Sequence, residues 1–524
     1  MTTPHTHEST AQSEGAEDPG APRNEWRRQF IGLFIGLALA ILVFFIFPSN
    51  AIDTVQQSTG VDEEADYTLS AIRTVAAVTI LMGVWWMTEA IPLAATALIP
   101  LVIFPLASVG TIKEVGAPYA SATIFLFMGG FLIALSLQRW NLHRRLALYV
   151  VKLIGTSPRR LILGFMLATG FLSMWVSNTA TAVVMLPIGT SVLALTAETV
   201  GGWDKQKKFA TALMLGIAYS ASIGSLGTLI GTPPNAFLNA YMADTWDVTL
   251  GFGRWMAVGV PLALVFLLIA WALLITIFKP EMTEIPGGRE LINDEIKALG
   301  PWTRPQIMTG IIFVLAALAW VTLPIVLGDF DNYDDAIVGI AAGILLFILP
   351  ADSERRIRLL DWKTANEMPW DVLLLFGGGL SLSSAFNSSG LSLWIGEMAK
   401  GLSSLPIVLI VAAVAALVLF LTEITSNTAT AATFIPIMGG VAVGVGLTTE
   451  GDINVLLLTI PVALAATCAF MLPVATPPNA IAYGSGYVKI GEMIKGGVGL
   501  NVIGIFLITL TVFLLAVPIF GLTV

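Results

Sequence analysis

The chain has 524 residues, of which 56% are hydrophobic and only 12% charged, with a formal net charge of −9. Such a composition excludes a water-soluble globular protein, and acidic charge spread over loops gives no ground for a nucleic-acid partner. The single cysteine, Cys468, cannot form an internal disulfide and reads as a small buried hydrophobe.

In chain order, residues 1–25 are polar and read as a disordered tail. They do not form a secretory signal, because the apolar run that follows is too long and carries no small-residue cleavage site. Apolar stretches then recur at Gln29–Pro48, Ser70–Trp86, Ser121–Gln138, Arg254–Phe278 and Val498–Pro518, among others. Each can cross a hydrocarbon core of roughly 30 Å as a helix, and nothing alternates at period two as a membrane barrel would. The expected fold is an all-α polytopic membrane protein with about eleven transmembrane helices.

Basic stretches at Arg139–Arg160, Lys205–Lys208, Lys279–Arg304 and Arg355–Lys363 alternate with acidic ones at Asp53–Asp66 and Asp329–Asp335. Placing the basic set in the cytoplasm puts the N-terminus inside and the C-terminus outside. Within this pattern the chain repeats itself. FLFMGGFLIAL at Phe125–Leu135 resembles LLFGGGLSLSS at Leu374–Ser384, and SNTATAVVMLPI from Ser177 resembles SNTATAATFIPI from Ser426, both 249 positions on. IGTPPNAF at Ile230–Phe237 resembles VATPPNAI at Val474–Ile481, 244 positions on. Three motifs in one order mean a duplicated unit. The first Ser-Asn-Thr follows a cytoplasmic loop and the second an outer one, so the copies enter from opposite faces, an inverted repeat typical of secondary transporters.

Basic loops on both sides of Arg160–Glu198 make that segment a re-entrant hairpin with Ser177, Asn178 and Thr179 at its tip. Pro406–Val443 reads likewise from the outside, with Ser426, Asn427 and Thr428 at its tip. A helix that stops offers carbonyl oxygens to a cation, and one that starts offers N–H groups to an anion. Ser, Asn and Thr suit the cap of the returning arm. Thr232 and Thr476 are expected to cap new helices that begin at Pro233 and Pro477, while Gly231 permits a left-handed or broken end to the helix before it and Ala475 a less extreme backbone. A polar contact between membrane helices would explain one such motif; four in two symmetric pairs point to a binding site. No Lys or Arg lies in these motifs, so a bound dianion must be balanced by helix N-termini and co-bound cations. Sodium-coupled, electrogenic anion uptake follows as the expectation.

These residues resemble the divalent anion/sodium symporter family over nearly the whole chain beyond the tail, including WWMTEAIPL at Trp85–Leu93 and MPWDVLLLFGGGLSL at Met368–Leu382. The resemblance implies a homodimer in the plasma membrane that imports C4-type dicarboxylates such as succinate, fumarate or malate, and also 2-oxoglutarate, by an elevator motion. It divides the chain into a cytoplasmic tail (1–25), scaffold (26–139 and 304–386), interfacial arms (140–156 and 387–403), transport domain (157–280 and 404–524) and a cytoplasmic loop (281–303). It implies one sodium site at Ser173, Ser177, Asn178 and the Gly231 backbone, and another at Thr422, Ser426, Asn427 and the Ala475 backbone. Substrate carboxylates would meet Asn178, Thr179, Asn427 and Thr428, with Thr232, Pro233, Thr476 and Pro477 lining the site. The amphipathic stretches Leu142–Lys152 and Leu391–Lys400 fit such arms, with ordinary amphipathic connectors as the alternative. Sodium is the coupling ion, and no cofactor is expected.

Glu89, Asp371 and Glu423 lie in or near spans; capping suffices for the first two, and a structural or proton-linked role stays open for Glu423. A dicarboxylate exchanger and a sodium-coupled citrate or sulfate carrier of the same fold remain alternatives. A channel would need a filter ring built by oligomeric symmetry. An enzyme would need a nucleophile, a metal cluster or an acid–base pair, yet His5 and His7 lie in the tail, His143 lies in a basic loop, and no nucleotide-binding P-loop is present.

Overall fold

The computed structural model describes residues 23–58, 67–285, 287–327, 333–352, 354–448 and 452–524. All but the end of the expected tail, with His5 and His7, lies outside the described residues, as do parts of both acidic loops. Among the described residues the regular structure is helical apart from one short antiparallel pair, Pro350–Asp352 with Ile357–Arg358. Among the described residues eight helices, rather than eleven, are long and apolar enough to span a bilayer. Others, such as Ile407–Thr422 and Ile453–Thr467, are shorter, because each stops at a break in the helix.

Helices Arg23–Ile46 and Leu69–Thr88 pack together, with Arg28 pairing Glu89 at 3.0 Å across their ends. Glu89 follows the last turn in a left-handed conformation, so it ends a helix and does not cap a start. Asp371 lies in the first turn of Trp370–Ser389, where a negative charge favours the helix dipole. Helices Ala122–Arg139 and Asp335–Ile348 meet glycine to glycine at Gly129 and Gly339.

Each later unit holds a hairpin and a broken helix. The first hairpin comprises Pro158–Ser173 and Asn178–Val200, and the first broken helix Lys207–Ser225 and Pro233–Trp246. The second hairpin comprises Ile407–Thr422 and Asn427–Gly444, and the second broken helix Leu456–Thr467 and Pro477–Gly484. Proline starts three of these helices at or next to the first position, where its missing N–H costs nothing. Both returning arms also carry an internal proline, Pro187 and Pro436, 249 positions apart.

The units interlock crosswise. The returning arm of the first hairpin packs on Pro477–Gly484, and that of the second hairpin packs on Pro233–Trp246. The helices that precede the two hairpins differ: Leu142–Ile154 lies on the incoming arm of its hairpin, whereas Leu391–Ala399 lies on the returning arm.

Two sequence readings of the basic segments change. Residues 281–303 are not only loop, since Gly288–Ala298 is helical, and His143 sits buried in the first turn of helix Leu142–Ile154. Both arginines of that helix find partners within the chain. Arg144 pairs with Glu295 at 2.7 Å, and Arg145, 2% exposed, donates to the carbonyls of Leu299, Gly300 and Pro301 beneath the Trp302 ring. Removing Arg145 strands three carbonyls at the end of a helix. Arg145→Ala is therefore expected to cost about 2–4 kcal/mol and to lower the melting temperature of the purified protein, with Arg145→Lys a poor rescue because it lacks the planar fork. An unchanged melting curve for Arg145→Ala would contradict that role.

Candidate functional site

At each hairpin tip the chain leaves one helix and starts another within a few residues. Ser177 and Ser426 stand at the N-cap positions of the returning arms, and the Ser177 hydroxyl accepts from the Ala180 N–H at 3.3 Å. The residue that ends each incoming arm reaches across the tip. Ser173 Oγ lies 2.9 Å from Asn178 Oδ1 and 2.6 Å from the Ala221 carbonyl oxygen. Thr422 Oγ1 lies 2.8 Å from Asn427 Oδ1 and 2.8 Å from the Ala466 carbonyl oxygen. The two units thus build the same three-oxygen cluster from a hydroxyl, an amide oxygen and a backbone carbonyl.

Each of these hydroxyls has a single proton to share between two oxygen acceptors, so neither acceptor is fully satisfied. Each cluster therefore keeps unspent oxygen lone pairs in a buried place, since Ser173 and Thr422 are both fully buried. Hard cations take such oxygen sets. The opposite end of each asparagine is left for another partner. Among the described residues the Nδ2 groups of Asn178 and Asn427 and the hydroxyls of Thr179 and Thr428 make no hydrogen bond within the chain, so they remain donors for an anion. Asn178 is half-buried and Thr179 exposed, while Asn427 and Thr428 are both half-buried.

The broken helices hold their breaks with a residue that the sequence reading passed over. Asn235 Nδ2 donates to the carbonyls of Ser225, Leu226 and Thr228, at 3.4, 3.3 and 2.9 Å. Asn479 Nδ2 donates to those of Ala469 and Leu472, at 3.0 and 3.2 Å. The signal was available, because both asparagines close the Thr-Pro-Pro-Asn motif. Their role needs the fold, since an unwound turn must curl back on the next helix before its carbonyls are within reach.

Two capping expectations are corrected in part. Thr476 Oγ1 accepts from the Asn479 N–H at 3.3 Å, as a cap should. Thr232 occupies the equivalent position without capping; its hydroxyl instead meets Thr467 Oγ1 of the second unit at 3.3 Å. That contact joins the two breaks directly. Gly231 is not left-handed. Its side chain is absent because a Cβ would lie 2.3 Å from the Ser225 carbonyl, so the requirement is close approach of backbone to backbone. Ala475 sits buried in a short 3-10 turn, Pro473–Ala475. Pro233 is half-buried and Pro477 exposed at the starts of their helices.

Glu423 is neither exposed nor paired with a cation. It is 3% exposed, and its carboxylate accepts the N–H groups of Phe470, Met471 and Leu472 and the side-chain amide of Asn501. A cavity of about 610 Å³, lined by Arg139, Arg304 and Arg355 among others, shares no residue with either tip.

Comparison with known proteins places the chain in a family. Residues 37–522 match the family described as the sodium:sulfate symporter transmembrane region. A protein of Staphylococcus saprophyticus named sodium-dependent dicarboxylate transporter SdcS is 41% identical over 505 residues, covering 95% of this chain and 93% of that one. Its namesake in Staphylococcus aureus is 42% identical over 447 residues, covering 84% and 85%. Among solved structures, the YdaH transporter of Alcanivorax borkumensis aligns with a TM-score of 0.50 over 85% of this chain and 98% of that one. At 17% identity that likeness speaks for the fold alone.

Proposed function

The chain belongs to the sodium:sulfate symporter family, a family of membrane transporters and not enzymes, and from that premise we propose that it imports small dicarboxylates together with sodium. Succinate, fumarate, malate and 2-oxoglutarate are the substrates. The observation that carries this reading is the division of labour at Asn178 and Asn427. In each, the oxygen belongs to a three-oxygen cluster and the amide nitrogen stays free. Sodium at the clusters and a carboxylate at each amide then fit one pair of residues, and two tips suit a ligand with two carboxylates. The Thr179 and Thr428 hydroxyls add donors, Thr232 and Thr476 with Pro233 and Pro477 line the space between, and Gly231 and Ala475 supply backbone to the cation sites.

The two units enter the bilayer from opposite faces as an inverted repeat, with the N-terminus cytoplasmic and the C-terminus outside. The protein works as a homodimer in the plasma membrane. The hairpins and broken helices move as one body past the scaffold, carrying sodium and substrate in an elevator motion. In that motion the polar contacts across the domain border must exchange, among them the Asp335 carboxylate on the Phe252 N–H at 2.7 Å and Asn239 on Thr123 at 3.1 Å. With no Lys or Arg at the tips, sodium supplies the positive charge. Import of surplus cations gains about 2.3 kcal/mol per net charge per 100 mV of inside-negative potential.

Uptake of labelled succinate into proteoliposomes tests this. An inward sodium gradient is expected to drive saturable accumulation that a negative interior accelerates and that fumarate and malate suppress. Equal uptake without sodium would refute the coupling, and sodium-independent counterflow would favour exchange. Inhibition by citrate or sulfate but not by fumarate would move the substrate class.

A further inference from the structure

Glu423 carries a role that the transport reading leaves unused. It follows Thr422, which grips the Ala466 carbonyl on the near side of the second break. On the far side its own carboxylate accepts from Phe470 N at 2.7 Å, from Met471 N at 3.0 Å and from Leu472 N at 3.2 Å, with Asn501 Nδ2 at 2.7 Å. Every partner is a donor, so both oxygens act as acceptors, and backbone N–H groups compensate for burying the acid. Leu472 is held again through its carbonyl, which accepts from Asn479 Nδ2 at 3.2 Å and from the Ala475 N–H at 3.3 Å.

The first unit makes the same tie with the roles exchanged. Met174 occupies the position of Glu423 in the hairpin, and Thr228 occupies that of Leu472 in the break, where Asn235 holds its carbonyl as Asn479 holds that of Leu472. There the Thr228 hydroxyl donates to the Met174 carbonyl at 2.5 Å. Hairpin and break are joined at one pair of positions in both units, by a side chain on the break in the first and on the hairpin in the second. Chance filling of a polar gap would not choose the same pair twice.

We infer that Glu423 is a positioning residue for the second cation cluster. It fixes the Phe470–Leu472 turn, and through it the Ala475 backbone, relative to Thr422 and Asn427. The role rests on the sodium-coupled reading above. Outer partners of this kind tune metal affinity without touching the metal.

Glu423→Gln puts an amide donor against backbone donors. In proteoliposomes, the sodium concentration giving half-maximal succinate uptake is expected to rise about tenfold. The KM for succinate at saturating sodium should stay unchanged, and Glu423→Asp should recover part of the sodium affinity. In detergent, stabilisation of the variant by sodium chloride over potassium chloride should need correspondingly more salt. A folded Glu423→Gln protein with wild-type sodium half-saturation would overturn the role, whatever its yield or melting temperature. Should that variant fail to fold, Asn501→Leu, which removes one donor and leaves the carboxylate, carries the test. A smaller rise in sodium half-saturation supports the role and none overturns it. A wild-type protein indifferent to sodium would overturn the transport reading itself, and this role with it.

Discussion

Alanine at Asn178 or at Asn427 is expected to cut succinate uptake about 100-fold or more while the protein still folds. Each asparagine contributes an oxygen to a three-oxygen cluster and holds its amide free, so one substitution removes a cation ligand and an anion donor together. Folding should survive for two reasons. Both residues are only half-buried, so little packing is lost, and each is the first residue of a helix, where alanine is well tolerated. Elution of the purified variant at the wild-type volume, beside its uptake rate, separates loss of function from loss of fold. Aspartate at the same positions divides the two duties. It keeps the oxygens but replaces a donor by a negative charge facing the substrate. Asn178→Asp is therefore expected to retain stabilisation by sodium chloride and to lose uptake. Full uptake by either alanine variant would refute the assignment of the tips.

The second large effect comes from a residue with no polar chemistry. Gly224, in the last turn of its helix, packs against Gly170 of the first hairpin, where an added Cβ would lie 2.2 Å from the Gly170 carbonyl oxygen and 2.3 Å from its Cα. These are backbone atoms, so no rotamer change relieves the overlap and the two helices must separate. Gly224→Ala is expected to cost about 1–3 kcal/mol from overpacking. The same separation acts on the cluster, because Ser173 and Ala221 stand one turn from these glycines in the same interface, 2.6 Å apart. Sodium-driven uptake should fall with the melting temperature. Gly484→Ala serves as the control, since nothing lies within 4 Å of its added Cβ; there the substitution should leave uptake and stability near wild type. If both variants behave alike, close packing at Gly224 is not what holds the cluster.

Much of the site was legible because the chain states it twice. The Ser-Asn-Thr and Thr-Pro-Pro-Asn copies marked four places where helices start, and helices do start at Asn178, Pro233, Asn427 and Pro477. Ser173 and Thr422 came from family resemblance alone, and the structure places both in hydrogen-bond contact with the tip asparagines. Thr232 shows the limit of the local reading. Its type and position suit a cap, yet its hydroxyl turned to Thr467, a residue 235 positions away. Gly231 was a glycine for a reason other than the one its neighbours suggested, because a tight backbone approach leaves no trace in flanking residues. Arg145, within the stretch read as an amphipathic arm, is a buried tie to three loop carbonyls, a role no local pattern announces.

The amino-acid sequence by itself determined what depends on near neighbours. Hydropathy set where helices run, proline and cap residues set where they begin, and the repeat set which breaks correspond. Tertiary structure alone decided which oxygen meets which, that each returning arm packs on the other unit's second half-helix, and that Glu423 and Thr228 make the same tie from opposite sides. The reason is physical. Helix preference is set within a few residues along the chain, whereas a buried polar atom must be satisfied by whatever packing brings within about 3 Å, and several chain-distant partners can meet that need equally well.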